Sequence, residues 1–103
     1  MPPGSLSMLI LRVLHAGPLH GYAIAQRIYQ LSGEVLEAEE GSLYPALQRM
    51  LMEGWVTGEW GTSETKRRVR FYSLTKDGAK QLKQDLAEYE QVTAAIQGIL
   101  RTA

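Results

Sequence analysis

The 103-residue sequence has no cysteine, one phenylalanine, four prolines and no net charge. The absence of cysteine excludes a disulfide framework, thiolate catalysis and any cysteine-ligated zinc or iron–sulfur centre, and it fits an intracellular, cytoplasmic setting. No apolar run approaches the roughly 20 residues that span a bilayer. The opening "MPPGSLSMLILRVL" has neither a basic leader nor a small-residue cleavage site, so no membrane partner is expected. Catalytic patterns are missing as well. The two histidines stand near helix ends without a matched carboxylate, no Ser-His-Asp set can be assembled, and no glycine loop for phosphate is present. Neither an enzyme nor a cofactor or metal site is expected.

What is present suffices for one compact unit: 45% of the residues are hydrophobic. Charge is balanced overall, with 11 Lys plus Arg against 11 Asp plus Glu, but not locally. The charges of "EVLEAEE" (34–40) are all acidic and those of "KRRVR" (66–70) all basic. The acidic stretch lacks a convergent histidine and reads as a solvated connector.

Helical spacing of Leu6, Leu9, Ile10, Val13 and Leu14 predicts a first helix to His15, capped by Ser5 or Ser7. A second is expected from about Gly21 to Leu31, with Gly33 as its left-handed stop and His20 in a capping or turn role. A third runs from Ser42, read as its N-cap, to Glu53 and Gly54. Leu43, Leu47, Met50 and Leu51 form its inward stripe, leaving Tyr44, Pro45, Gln48, Arg49 and Met52 outward. A merely solvated face would carry Lys and Glu pairs, whereas this one offers a phenol, an amide and a guanidinium. "WVTGEW" and "RRVRFYSL" read as two strands of a hairpin joined by "GTSETK", with a flexible basic tip. Val69 and Phe71 share one strand face; Arg68, Arg70 and Tyr72 share the other. Trp55 and Trp60 fall on opposite faces, one in the core and the other free for a partner or an effector pocket. Beyond Thr75, an expected N-cap, a single helix of roughly 40 Å runs on. It carries an apolar stripe through Leu82, Leu86, Tyr89, Val92, Ile96, Ile99 and Leu100, which predicts dimerisation.

This order predicts a mainly α fold with a small β-hairpin: a winged helix-turn-helix over 1–74 and a long C-terminal dimerisation helix over 75–103. Such a plan suits double-stranded DNA, because the third helix can enter a major groove about 12 Å wide while the hairpin reaches the flanking backbone. The amides of Gly41, Ser42 and Leu43, at the positive end of the helix dipole, are expected to hold a phosphate, with Tyr44 donating beside them. Gln48, Arg49, Lys66, Arg67, Arg68 and Arg70 complete the expected DNA surface.

"GPLHGYAI" (17–24), "EEGSLYPALQRM" (39–50), "GW" (54–55) and "YSLTKDGAKQL" (72–82) together resemble the PadR family of bacterial transcriptional regulators, in its short subgroup. The resemblance implies a winged-helix homodimer, usually a repressor, on a palindromic operator, relieved in many members by a small aromatic or phenolic effector. It also implies that the C-terminal helix packs on the partner's N-terminal helix, which adds Leu6, Leu9 and Ile10 to the dimerisation set. Leu51 and Met52 depart from the family, where a charged residue is common. The competing reading is a winged-helix module for protein contact or small-molecule binding without direct DNA readout.

Overall fold

The computed structural model describes residues 4–102. Their order is α1 (Ser5–His15), β1 (Leu19–His20), α2 (Gly21–Leu31), α3 (Glu40–Glu53), β2 (Val56–Thr62), β3 (Arg68–Leu74) and α4 (Lys76–Leu100). Residues 1–3 and 103, at the outer ends of the two expected spans, lie outside the described residues.

Apolar spacing places each of the first three helices. From α1, Ile10, Leu11 and Leu14 enter the core, where they meet Ile24 and Ile28 of α2 and Leu43, Leu47 and Met50 of α3. The start of α1 differs from expectation. Its N-cap is Gly4 at φ 81°, no hydroxyl caps it, and Ser5 is already helical. A left-handed glycine turns the chain there instead. The start of α2 follows expectation: His20 is the N-cap, and its Nδ1 accepts the Ala23 amide at 3.4 Å. At its far end Gly33 is left-handed at φ 66°. Its amide donates to the Gln30 carbonyl and that of Glu34 to the Tyr29 carbonyl, which closes a Schellman motif.

The α3 helix begins two residues before the expected Ser42. Glu39 is the extended N-cap residue, and its carbonyl accepts the amides of Ser42 (3.0 Å) and Leu43 (2.8 Å). Pro45 therefore sits in the second turn and removes the bond its amide would make to the Gly41 carbonyl. With Gly41 four residues before it, the ring faces a position without a side chain. At the other end Gly54 is left-handed at φ 76°, as a stop signal requires.

The hairpin is joined by a strand not expected from the sequence. Leu19 and His20 pair antiparallel with Tyr72 and Phe71, so the sheet has three strands in the order β1-β3-β2. Cross-strand pairing runs from Val56 opposite Leu74 to Thr62 opposite Arg68. Val56 and Tyr72 are buried, so their face is the one turned to the helices. The tip is a turn closed by hydrogen bonds. Ser63 and Arg67 share a backbone bond of 2.8 Å, the Lys66 amide donates to the Ser63 carbonyl at 2.9 Å, and the Ser63 hydroxyl accepts the Arg67 amide at 3.2 Å. Lys66 stands there at φ 61°, a left-handed position that a side chain disfavours. Three helices followed by this sheet, with α3 leading directly into the hairpin, form a winged helix-turn-helix.

The departure of α4 is fixed at one junction. The Thr75 hydroxyl donates to the Gly54 carbonyl at 2.7 Å and accepts the Gly78 amide at 3.0 Å, while the Thr75 amide donates to the Trp55 carbonyl at 3.0 Å. A Cβ on Gly78 would overlap that same Trp55 carbonyl oxygen. The first turns of α4 then pack on α1 and bury Leu82, which is 8% exposed. From Leu86 onward the helix leaves the body, which gives the chain a long dimension of 56 Å against 29 and 23 Å. Leu86, Tyr89, Val92, Ile96, Ile99 and Leu100 are exposed along it. Two members of the expected dimerisation set are thereby corrected. Ile10 and Leu82 are core residues of the chain itself, because α1 and the start of α4 bury them against each other and the sheet.

Gly78→Ala should lower the unfolding free energy by about 2–3 kcal/mol through overpacking. Thr75→Ala should lower it by about 1 kcal/mol through loss of the cap. Urea titration followed by circular dichroism measures both, and equal effects would contradict the backbone collision at Gly78.

Candidate functional site

Burial of Leu43, Ala46, Leu47 and Met50 turns the opposite side of α3 outward. Tyr44 is 45% exposed, Gln48 and Arg49 are exposed, and Met52 is 81% exposed. Leu51 is partly buried against the core, so the apolar end of α3 divides into one residue that packs and one that does not. Arg49 reaches α1, where its Nη2 donates to the Ser7 hydroxyl at 3.4 Å.

The expected phosphate site at the helix start is altered by the observed cap. The amides of Ser42 and Leu43 are already bonded to Glu39, and the Leu43 side chain is buried. Glu39 and Glu40 flank the turn with two exposed carboxylates. Their charge offsets the positive end of the helix dipole, which makes this terminus a poorer anion site than its sequence suggested. Gly41 and Ser42 remain exposed in the first turn.

Tyr44 is held rather than free. A Cβ on Gly21 would lie 2.7 Å from its hydroxyl oxygen, so the bare start of α2 is what lets the ring lie down. Burial pushes the Tyr72 hydroxyl pKa above its ordinary value; the Arg70 guanidinium opposes that rise and the Tyr44 phenol adds to it. The start of α2 thus seats the Tyr44 ring of α3, and on the wing Arg70 lies beside Tyr72.

On the wing, Lys66, Arg67 and Arg68 are exposed at or beside the turn. The Arg68 guanidinium lies 5.0 Å from the centre of the Trp60 ring, a cation–π stack on the helix-facing side of the sheet. Trp60 is 62% exposed, whereas Trp55 packs against the core. The exposed tryptophan is therefore a wing residue, and a signal for that assignment was present: Trp60 precedes the turn and neighbours the basic run. Arg70 departs from the other wing bases. It is partly buried, it lies 6.0 Å from the centre of the Tyr72 ring, and its Nε is buried without a hydrogen-bond partner among the described residues.

A cleft of about 350 Å³ adjoins the site, bordered by Tyr22, Ala25, Glu39, Leu43 and Tyr44. Among the described residues no group of three or more histidine, aspartate or glutamate side chains could hold a metal ion. No helix among them is long and apolar enough to cross a membrane.

The profile of the "Transcriptional regulator PadR-like family" matches residues 10–84. A Bacillus subtilis protein, "Negative transcriptional regulator PadR", is 28% identical over 91 residues; these cover 88% of this chain and 50% of that protein, so the chain spans half its length. A transcriptional regulator of known structure from Clostridium thermocellum superposes with a TM-score of 0.87 at 31% identity, over 95% of both chains. A PadR family regulator from Eggerthella lenta superposes with a TM-score of 0.80 at 27% identity, over 97% of this chain and 85% of that one.

The raised Tyr72 pKa carries a stability prediction. In the folded state the neutral phenol is favoured, whereas the unfolded chain begins to lose that proton near its ordinary pKa of about 10. The contribution is complete below that pH and is lost as pH rises from there through the folded value. Stability should therefore fall more steeply with pH above about 10 in the native chain than in Tyr72→Phe, as measured by denaturant unfolding at a series of alkaline pH values.

Proposed function

Since this chain belongs to the PadR-like family of transcriptional regulators, we propose that it binds duplex DNA sequence-specifically as a homodimer and represses transcription from a palindromic operator. The observation that carries the reading is that one chain exposes both a polar face on α3, at Tyr44, Gln48 and Arg49, and a cationic wing at Lys66, Arg67 and Arg68. In it, α3 presents Gln48, with Tyr44 and Arg49, to the major groove, while Gly41 and Ser42 border the backbone. Lys66, Arg67 and Arg68 meet phosphates along the wing. Side-chain amides read base edges, and Lys and Arg contacts to phosphate position the protein without reading sequence.

The homodimer follows from the same physics. Leu86, Tyr89, Val92, Ile96, Ile99 and Leu100 leave an apolar stripe uncovered along most of α4, and a second copy supplies the matching surface. Leu6 and Leu9 of α1, only partly buried in the single chain, complete it. A two-fold arrangement sets the half-sites about one helical turn apart. A small aromatic effector belongs to this reading as well; the cleft offers it the phenol rings of Tyr22 and Tyr44, with the carboxylates of Glu39 and Glu40 at its border. The reading without DNA readout has one observation in its favour, the exposed Met52, and no use for the cationic wing.

Fluorescence anisotropy on duplexes selected from random DNA tests the proposal. Affinity should fall steeply with salt. Lys66→Ala with Arg67→Ala should weaken binding to every duplex and lower the salt slope by about 2, whereas Gln48→Ala should change base preference at one position per half-site, at about 1–3 kcal/mol. Binding no stronger than that of a neutral control protein at low salt would refute DNA recognition. Val92→Glu with Ile96→Glu should convert a dimer to a monomer in analytical ultracentrifugation; an unchanged mass would refute the α4 interface.

A further inference from the structure

Where α2, the end of the connector and the start of α3 meet, the cleft of about 350 Å³ is lined by Tyr22, Ala25, Ala38, Glu39, Glu40 and Tyr44. Two features distinguish it from ordinary surface. One is aromatic: Tyr22 is 69% and Tyr44 45% exposed, yet each ring is held from behind. His20 stacks on Tyr22 with ring centres 6.5 Å apart and planes 12° apart. Tyr44 lies on Gly21, where a Cβ would crowd its ring. Between the rings the small side chains of Ala25 and Ala38 keep the space open. Walls already in place spare a ligand the cost of ordering them. The second feature is charge. Glu39 and Glu40 are exposed at the border, and no lysine, arginine or histidine among the described residues lines the cleft. Although Glu39 is the N-cap residue of α3, its side chain makes no capping hydrogen bond, so the helix start does not use that carboxylate. Beside a surface proposed for DNA, two carboxylates repel the phosphate backbone, and a cationic ligand gives them a use.

We propose that this cleft binds a small arylalkylammonium ion, with Tyr22 and Tyr44 receiving its aromatic body and Glu39 and Glu40 its ammonium group. The inference rests on the reading of the cleft as an effector site and assigns that effector a charge. The faces of phenol rings attract a cation through their quadrupole. An ammonium group carries three donors, which suits two carboxylates, whereas an aromatic acid would meet two charges of its own sign. The volume stands at the lower end of the range for ligand sites, about 300–1,000 Å³, and so favours one ring over an extended polycycle. Every residue named lies in α2, the connector or the first turns of α3, so each chain holds a complete site.

Three compounds of similar shape separate charge from fit: 2-phenylethylammonium, 2-phenylethanol and phenylacetate. In titrations of the full chain at neutral pH followed by amide NMR, the ammonium should shift Tyr22 to Ala25 and Ala38 to Tyr44. It should bind roughly tenfold more tightly than the alcohol, with phenylacetate weakest. Added salt should narrow that gap, because the carboxylates are exposed. Glu39→Gln with Glu40→Gln should lower ammonium affinity roughly tenfold and leave that of the alcohol unchanged, with folding checked by thermal melting. Tyr22→Leu should weaken the ammonium severalfold while keeping apolar bulk in the wall. Equal affinity for the alcohol, or tighter binding of phenylacetate at the same amides, would overturn the assigned charge and leave an effector site in place. Shifts confined to α4 would overturn the location. If none of the three bound, proposal and effector reading would fall together. If the ammonium bound the cleft without altering duplex affinity in fluorescence anisotropy, the site would stand and its role as an effector site would fall.

Discussion

The outward chemistry of this protein is set by what α3 buries. A helix has one inward stripe, and here Leu43, Leu47 and Met50, all at most 1% exposed, occupy it together with Ala46. With 3.6 residues per turn, that choice leaves Tyr44, Gln48 and Arg49 no inward place. The same stripe holds α3 against α1 and α2 and delivers its C-terminus, through the left-handed Gly54, to the base of the wing. Orientation of helix and hairpin is therefore a property of the core, and the polar surface inherits it.

A second constraint acts at the far side of the sheet. Thr75 binds backbone from the end of α3 and the first turn of α4, and Gly78 lets that turn sit directly on the Trp55 carbonyl. Without a side chain at 78 the two segments touch backbone to backbone, which fixes the angle at which α4 leaves. The apolar stripe that it carries outward is thus held at a defined attitude to the polar face of α3. For a two-fold assembly, that attitude determines how far apart and at what inclination two copies of α3 stand.

Much of this was legible in the sequence because it depends on local rules. Bounds of α2, the end of α3 at Gly54, the Thr75 cap and the inward stripe of α3 follow from spacing and stop signals. The elements that escaped depend on tertiary partners. Leu19 and His20 are too few to show alternation, and they become a strand only because β3 offers them an edge. Ser42 looked like a cap, yet Glu39 took that role, since the connector arrives extended and its carbonyl meets the first amides of α3. Ile10 and Leu82 could not be told from interface residues by periodicity, because a core stripe and a dimer stripe share one repeat. The exposure of Gln48, Arg49, Lys66, Arg67 and Arg68 was legible from residue types and spacing on α3 and the wing. That Arg70 would fold inward was not, since it needs the pairing of Gly58 with Tyr72, which only the register reveals.

The strand order has one more consequence. With β3 in the middle and the short β1 covering part of one side, β2 is left as an open edge that projects with the hairpin. Such an edge invites an extended segment of another molecule to add to the sheet. Its sequence, VTGEWGT, resists this: Gly58 and Gly61 weaken strand pairing, and the exposed Glu59 between them places a charge where an incoming strand would lie. The glycines that make room for Arg70 and Phe71 across the strand pair therefore also keep a bare ribbon from recruiting its neighbours.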